Sequence, residues 1–253
     1  EHPARSSLSR RFCGIHHVRL PTNIKSIHTM FIQFGTPERL TSIGHEATDL
    51  NEAKGKIEIA VLDDNPFAPK DYLVNHNFRI RELGPDIRST EQVASYPIII
   101  CDVKGVAKAL GSPLEGAHLI SEIRKSYPDK FLISYTGETY SLPITNALTA
   151  ADRRLAKDEL LEVWIKTLEL GLTEVSNPKK RWIRLRSALL ARGVELFDVF
   201  KLEQALIKSV QERNPNHLSG RAKDLGISSE AKDLVLKFTA TALATLIGST
   251  LGI

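Results

Sequence analysis

Between residues 56 and 172 the chain alternates short apolar runs with segments of mixed polarity. The most apolar run is Pro97-Ile98-Ile99-Ile100-Cys101, which stops at Asp102. Successive branched Ile side chains favour a strand. An unbroken apolar run suits a strand buried on both faces, as in a parallel sheet. Residues 56–62 form a second strand and end at Asp63-Asp64-Asn65-Pro66-Phe67. Residues 78–83 alternate apolar and charged positions, which predicts an edge strand with one exposed face. Residues 131–135 form another strand, ending at Thr136-Gly137-Glu138, and residues 151–157 end at Lys157. The segments between them read as a short linker or helix (69–77), a short return (89–95), a Gly/Pro loop (103–113) and a loose stretch (140–150). Residues 115–127 predict a helix, with Leu119, Ile120 and Ile123 on one side and Glu122, Arg124 and Lys125 on the other, stopped by Pro128. A further helix is predicted over 158–170. This alternation predicts an α/β, doubly wound parallel sheet.

Beyond residue 158 no strand signal appears, and the remainder reads as an all-α helical module. A helix over 179–192 carries Lys179, Lys180, Arg181, Arg184 and Arg186 beside Trp182, Leu185 and Leu189. Its cations could touch phosphates or an acidic membrane. The preferred reading is a solvated basic face with Trp182, Leu185 and Leu189 packed inward. Residues 194–213 predict an amphipathic helix with the stripe Leu196, Val199, Phe200, Leu206, Ile207 and Val210. Residues 221–231 resemble the turn of a helix-turn-helix DNA reader. However, Lys232 stands where an apolar anchor is expected, and the next helix lacks polar base-reading side chains, so DNA binding is not preferred. That last helix, 229–253, has no charge after Lys237 and carries small residues at Ala240, Ala244, Gly248 and Gly252. Its uncharged part, 238–253, reaches about 24 Å as a helix, short of a bilayer core of roughly 30 Å. A buried bundle core or a dimer seam is expected there, with membrane contact the lesser alternative. The expected division is an N-terminal extension (1–55), an α/β domain (56–172) and a helical domain (173–253). In the extension, residues 28–35 suit a strand or a short helix, and His16 and His17 read as structural or surface residues.

Composition narrows the class. Of 253 residues, 42% are hydrophobic and 25% charged, which allows a core of ordinary size. The net charge of +4 is too mild to imply nucleic acid without a local cluster. The two cysteines, Cys13 and Cys101, show neither a disulfide framework nor zinc spacing, which suggests a reducing, cytoplasmic setting. The polar, basic start shows no secretory signal, and its first residue, Glu1, suggests a processed or trimmed end.

The strand ends carry the chemistry. Parallel sheets gather functional groups at their carboxyl edge. Adjacent carboxylates at Asp63 and Asp64 repel unless a cation lies between them. Oxygen ligands with open water positions suit Mg²⁺, although a solvated Asn-Pro turn accounts for the same residues. Asp102 is either a site carboxylate or simply the start of a loop. Thr136 and Lys157 add a hydroxyl and an ammonium to the same edge.

In this order the set Leu62-Asp63-Asp64-Asn65-Pro66, Ile99-Ile100-Cys101-Asp102, Tyr135-Thr136-Gly137 and residues 151–157 resembles the receiver domain of two-component response regulators, over about 56–172. The resemblance implies a flavodoxin-like five-stranded fold. It implies that Asp102 accepts a phosphoryl group from the phosphohistidine of a histidine kinase or phosphotransfer protein. Asp63 and Asp64, with Asp102 and a backbone carbonyl from residues 101–103, would hold Mg²⁺. Thr136 and Lys157 would bind phosphoryl oxygens. The protein would be a signalling protein rather than an enzyme, with output through a protein partner or a homodimer of the C-terminal helices.

The sequence departs from the family at Arg154, where an aromatic residue is usual, and at Asp158, where Pro is usual. The loop after Asp102 is also longer, with its Gly/Pro elements displaced to residues 111–116. Ser134 rivals Thr136 for the hydroxyl role, but the bulky Tyr135 follows it, whereas Gly137 follows Thr136. The alternatives are a pseudo-receiver that is never phosphorylated, a DNA-binding regulator, and a metal-dependent phosphohydrolase. The last is opposed by Lys104, which stands where a second carboxylate would be expected.

Overall fold

The computed structural model describes residues 36–43, 49–137, 141–243 and 246–247. The chain divides into two compact units, Glu1–Pro37 and Glu38–Ile253, and every element below belongs to the second. Cys13, His16, His17, the 28–35 stretch, Glu138 and most of the small-residue series (Ala244, Gly248, Gly252) lie outside the described residues.

Five strands form one parallel sheet: β1 (Glu58–Leu62), β2 (Arg79–Glu82), β3 (Ile98–Asp102), β4 (Phe131–Thr136) and β5 (Arg153–Ala156). Their order is β2-β1-β3-β4-β5. β3 is the central strand, and every one of its residues is buried. The Ile run is needed because alternate side chains enter different cores. Ile98 and Ile100 pack on one face with Phe131, Ile133 and Trp164. Ile99 and Cys101 pack on the other with Leu132, Ile120 and Ile123. β2 is the expected edge strand, with alternating exposure.

The helices covering the sheet are α1 (Leu50–Lys56), α2 (Lys70–Asn75), α3 (Glu115–Ser126), α4 (Leu142–Ala147) and α5 (Leu161–Val175). α1, α2 and α5 serve the first face through Ala53, Leu73, Leu168 and Leu172. α3 serves the second through Ala117, Leu119, Ile120 and Ile123. The stretch expected to be loose, 140–150, contains α4, which begins with a proline in its first turn. Pro at that position costs no helical hydrogen bond.

The helical region comprises α6 (Pro178–Ala191), α7 (Leu196–Gln211), α8 (Asn216–Asp224) and α9 (Ser229–Phe238), followed by a π-helical turn, Thr239–Leu243. Trp182, Leu185, Leu189, Leu202, Leu206 and Phe238 lie in its core, joined by Ile43 from a short 3₁₀ turn at Leu40–Ile43. α9 spends its apolar face, Ala231, Leu234, Val235 and Phe238, on this same core. Ala242 and Leu243 follow them into it, while Ala240 is exposed. Among the described residues no helix is long and apolar enough to cross a membrane.

Two expectations need correction. The basic face of α6 is not left to solvent. Arg181 is buried and its Nε donates to Asp129 at 2.9 Å, with a second bond from Nη2 to the same carboxylate. Arg184 donates to Asp152 at 2.7 Å, and Lys180 pairs with Glu174 at 2.8 Å. Arg181 and Arg184 join the helical region to the loops before β4 and β5, and Lys180 joins it to the end of α5. Leu196 also departs from the expected core stripe of α7. Val199, Leu206 and Ile207 are buried, but Leu196 is 61% exposed.

Candidate functional site

β1 and β3 are neighbours whose crossovers leave in different directions, so their carboxyl ends border a crevice at the topological switch point. Asp63 follows β1 and is buried, its Oδ1 accepting from the Asn65 amide at 2.8 Å. Asp64 is exposed and is oriented by the Asn65 side chain, whose Nδ2 donates to its Oδ1 at 2.7 Å. Asp102 ends β3 and is also buried. Its Oδ1 accepts from the Val103 amide at 2.6 Å, and its Oδ2 accepts from Lys157 Nζ at 2.5 Å. Lys157 Nζ also lies 3.6 Å from Asp63 Oδ2. Asp63, Asp64 and Asp102 each offer an oxygen within 4.8 Å of the others.

Thr136 closes β4 and is half-buried, in register with Ala156, and its carbonyl accepts from the Lys157 amide at 2.9 Å. The rival hydroxyl, Ser134, is two residues deeper in the strand, buried and without a hydrogen-bond partner among the described residues. The fold thus gathers the ends of β1, β3, β4 and β5 at one edge. Of the backbone carbonyls expected to assist, that of Val103 already accepts from the Gly116 amide at 3.1 Å.

The electrostatics follow from burial and crowding. Burial, and then the charge of Asp102, raise the Asp63 carboxyl above its ordinary range, against the opposing pull of the Asn65 amide and Lys157. Burial works against the Lys157 ammonium, but its bond to Asp102 and the two carboxylate charges outweigh it and raise its pKa. The Cys101 thiol is pushed far up by burial, so it is an inert core group beside Asp102. Three carboxylates against one ammonium leave excess negative charge. An all-oxygen donor set with one exposed member suits a hard divalent cation that keeps several waters.

Residues outside the expected set hold this arrangement. Gly105 has φ +78°, and a Cβ there would lie 2.2 Å from Asp64 Oδ2. Its amide donates to Glu115 Oε2 at 2.6 Å. A Cβ at Gly116 would lie 1.9 Å from the Asp102 carbonyl oxygen, so α3 begins directly against the Asp102 backbone. A Glu at a helix start is common for dipole reasons alone, so Glu115 carried no distinguishing signal. Tyr135 was also missed: its ring lies under Lys157 Nζ at 5.0 Å and packs edge-on to Phe67 and Trp164.

The fold and site define a class. A parallel sheet ordered 2-1-3-4-5 is the flavodoxin-like arrangement shared by flavodoxin and CheY. This part of the chain therefore has the flavodoxin-like fold, with an acidic cluster at its β1/β3 switch point. No protein-family model and no curated protein matches the sequence. The chain is similar to several solved structures. One is a CheY-like response regulator receiver domain protein from Methanospirillum hungatei (17% identity, 47% of this chain and 94% of that chain, TM-score 0.38). Another is a two-component response regulator from Clostridium difficile (20% identity, 46% and 95%, TM-score 0.38). A third is a putative pilus assembly-related protein from Burkholderia pseudomallei (16% identity, 48% and 92%, TM-score 0.38).

Proposed function

We propose that this chain is a response regulator in which Asp102 accepts a phosphoryl group from the phosphohistidine of a histidine kinase or phosphotransfer protein. The observation that carries this reading is the placement of Asp102: buried, held by Lys157 at 2.5 Å, and within 4.8 Å of two further carboxylates. An Asp102 oxygen would form the new P–O bond as the donor's P–N bond breaks, and the imidazole leaves with its electron pair. Asp63, Asp64 and Asp102 would hold Mg²⁺, which when bound neutralises the transferring phosphoryl group. Lys157 then offers its ammonium, and Thr136 its hydroxyl, to phosphoryl oxygens. The chain modifies itself and turns over no separate substrate, so it is a signalling protein rather than an enzyme. Such a relay would operate in the cytoplasm. Output would pass through the helical region, with 56–172 as receiver and 173–253 as output domain.

One observation favours a pseudo-receiver instead. Arg154, at the usual aromatic position, is tied to the α4 segment, its Nε donating to the Leu148 carbonyl at 3.2 Å and its Nη2 to Thr145 at 3.3 Å. Intact-mass measurement after incubation with acetyl phosphate and Mg²⁺ separates the two. A single phosphoryl adduct that requires Mg²⁺ and is absent from Asp102→Asn supports the response regulator. No adduct, with no Mg²⁺ binding, overturns it in favour of the pseudo-receiver.

A further inference from the structure

The acidic cluster has one member whose pose burial does not fix. Asp63 and Asp102 are buried, whereas Asp64 is exposed. Two contacts hold Asp64 instead. Asn65 Nδ2 donates to its Oδ1 at 2.7 Å. Gly105 packs against the same carboxylate, so near that a Cβ there would lie 2.2 Å from Oδ2 and 2.4 Å from Cγ. Gly105 belongs to the loop between β3 and α3. The amides of Val103 and Lys104 in that loop both donate to Asp102 Oδ1, at 2.6 and 3.4 Å. The next amide, that of Gly105, donates instead to Glu115 Oε2 at 2.6 Å. Beyond it the Ala107 amide donates to the Pro85 carbonyl at 2.8 Å. Glu115, the first residue of α3, thus reaches back across ten residues to the point of the loop that rests on Asp64.

The backbone of Glu115 gives this contact its weight. Its φ is +47°, in the left-handed region. A residue with a Cβ is disfavoured there, and glycine enters freely. The turn by itself would therefore be more stable with glycine. What the glutamate adds is a charge-assisted hydrogen bond, roughly twice as strong as a neutral one, and that bond ends on Gly105. Strained backbone of this kind collects where a side chain serves a site. The two common hard cations respond differently to a fixed carboxylate. Mg²⁺ demands a small, near-ideal octahedron, whereas the larger Ca²⁺ takes more oxygens in flexible geometry. Holding Asp64 still therefore matters most to the smaller ion.

We infer that Glu115 is a positioning residue: through Gly105 it fixes the Asp64 carboxylate in one pose, and so gives the acidic site its preference for Mg²⁺ over Ca²⁺. The inference rests on the reading of Asp63, Asp64 and Asp102 as a Mg²⁺ site. It does not depend on whether Asp102 accepts a phosphoryl group, because the loop and Asp64 act on the cation alone.

The test is titration calorimetry of the full chain with MgCl₂ and, separately, CaCl₂, beside thermal melts without metal. Glu115→Ala should weaken Mg²⁺ binding by roughly ten-fold, the scale of supporting groups at metal sites, and leave Ca²⁺ binding nearly unchanged. Glu115→Gln keeps the acceptor oxygen and should retain most of the Mg²⁺ affinity. Glu115→Gly relieves the left-handed strain, so it should melt at a higher temperature than Glu115→Ala yet lose Mg²⁺ to the same extent. In an Asp64→Asn background Glu115→Ala should cost nothing further, because its effect passes through Asp64. Equal losses for both ions would overturn the inference, as would a Glu115→Gly variant that regains Mg²⁺ affinity along with stability, or a full additional loss in the Asp64→Asn background. Each of these outcomes leaves the response-regulator reading standing. A wild-type chain that binds no Mg²⁺ would overturn both.

Discussion

Two residues outside the acidic cluster govern, respectively, its geometry and the response of the fold to pH. Gly105 combines a left-handed backbone with contact against Asp64, so a methyl group there has no room. Gly105→Ala is expected to displace the Asp64 carboxylate and lower Mg²⁺ affinity by roughly ten-fold, the scale on which supporting groups act at metal sites. Titration calorimetry with MgCl₂ checks this, and a thermal melt of the metal-free chain reports whether the fold survives. Lys130 is buried, with Nζ donating to the Ala94 and Tyr96 carbonyls at 2.6 and 2.7 Å. Burial lowers its pKa to about 7, opposed by Asp129 and assisted by Arg181. An unfolded lysine keeps its proton to about pH 10. Between about pH 7 and 10 the unfolded chain therefore binds more protons, and stability rises with pH. Below about pH 7 both states are protonated and the full cost of burying the charge remains. Lys130 should contribute a slope approaching ~1.4 kcal/mol per pH unit in that window. Urea unfolding of the full chain against pH should show the slope, and Lys130→Met should flatten it.

At the scale of elements, α3 and α6 meet at one seam. α3 starts against the Asp102 backbone. Near its other end, Arg124 binds the carbonyls of Ala150, Pro128 and Lys130 and the Asp152 carboxylate. Arg184 of α6 meets the same Asp152, and Arg181 fills the buried position beside Asp129. Removing one member of a buried pair strands the other, so Arg181→Met is expected to cost about 3–5 kcal/mol, read from urea unfolding. Arg181→Met with Asp129→Leu should recover most of that loss, because no stranded charge remains. The seam was illegible in the sequence for a physical reason. α6 shows a run of cations, but their partners lie 52 and 32 residues away, in loops whose positions depend on the finished sheet. α4 was missed because a six-residue helix with no buried side chain leaves no apolar periodicity to read.

For the molecule as a whole, the sheet was legible because β1, β3 and β4 are nearly continuous apolar runs, and each stops at the polar group it delivers. Asp63, Asp102, Thr136 and Lys157 could be found as strand endings, whereas Gly105, Glu115 and Tyr135 could not. Their roles are contacts across the crevice, not positions in a pattern. Of the helices after residue 176, α6, α7 and α9 were legible and α8 was not; the inward side of α6 (Trp182, Leu185, Leu189) was legible too, but not the full extent of every core-facing stripe. Leu196 shows this: its spacing matches the core stripe of α7, yet it lies outside the core. The seam also sets the distance over which any signal would travel. Asp102 is level with Tyr135 on β4, and Asp129 precedes Tyr135 by six residues, so the two ends are roughly 20 Å apart at strand spacing. The Arg181–Asp129 pair has a further consequence for anyone exchanging parts between such proteins. A chimera that kept the sheet and took its helices from elsewhere would inherit a sealed carboxylate with no counter-charge. The two halves can be transplanted only together, or with the loops at 127–130 and 152 recast to suit the new graft.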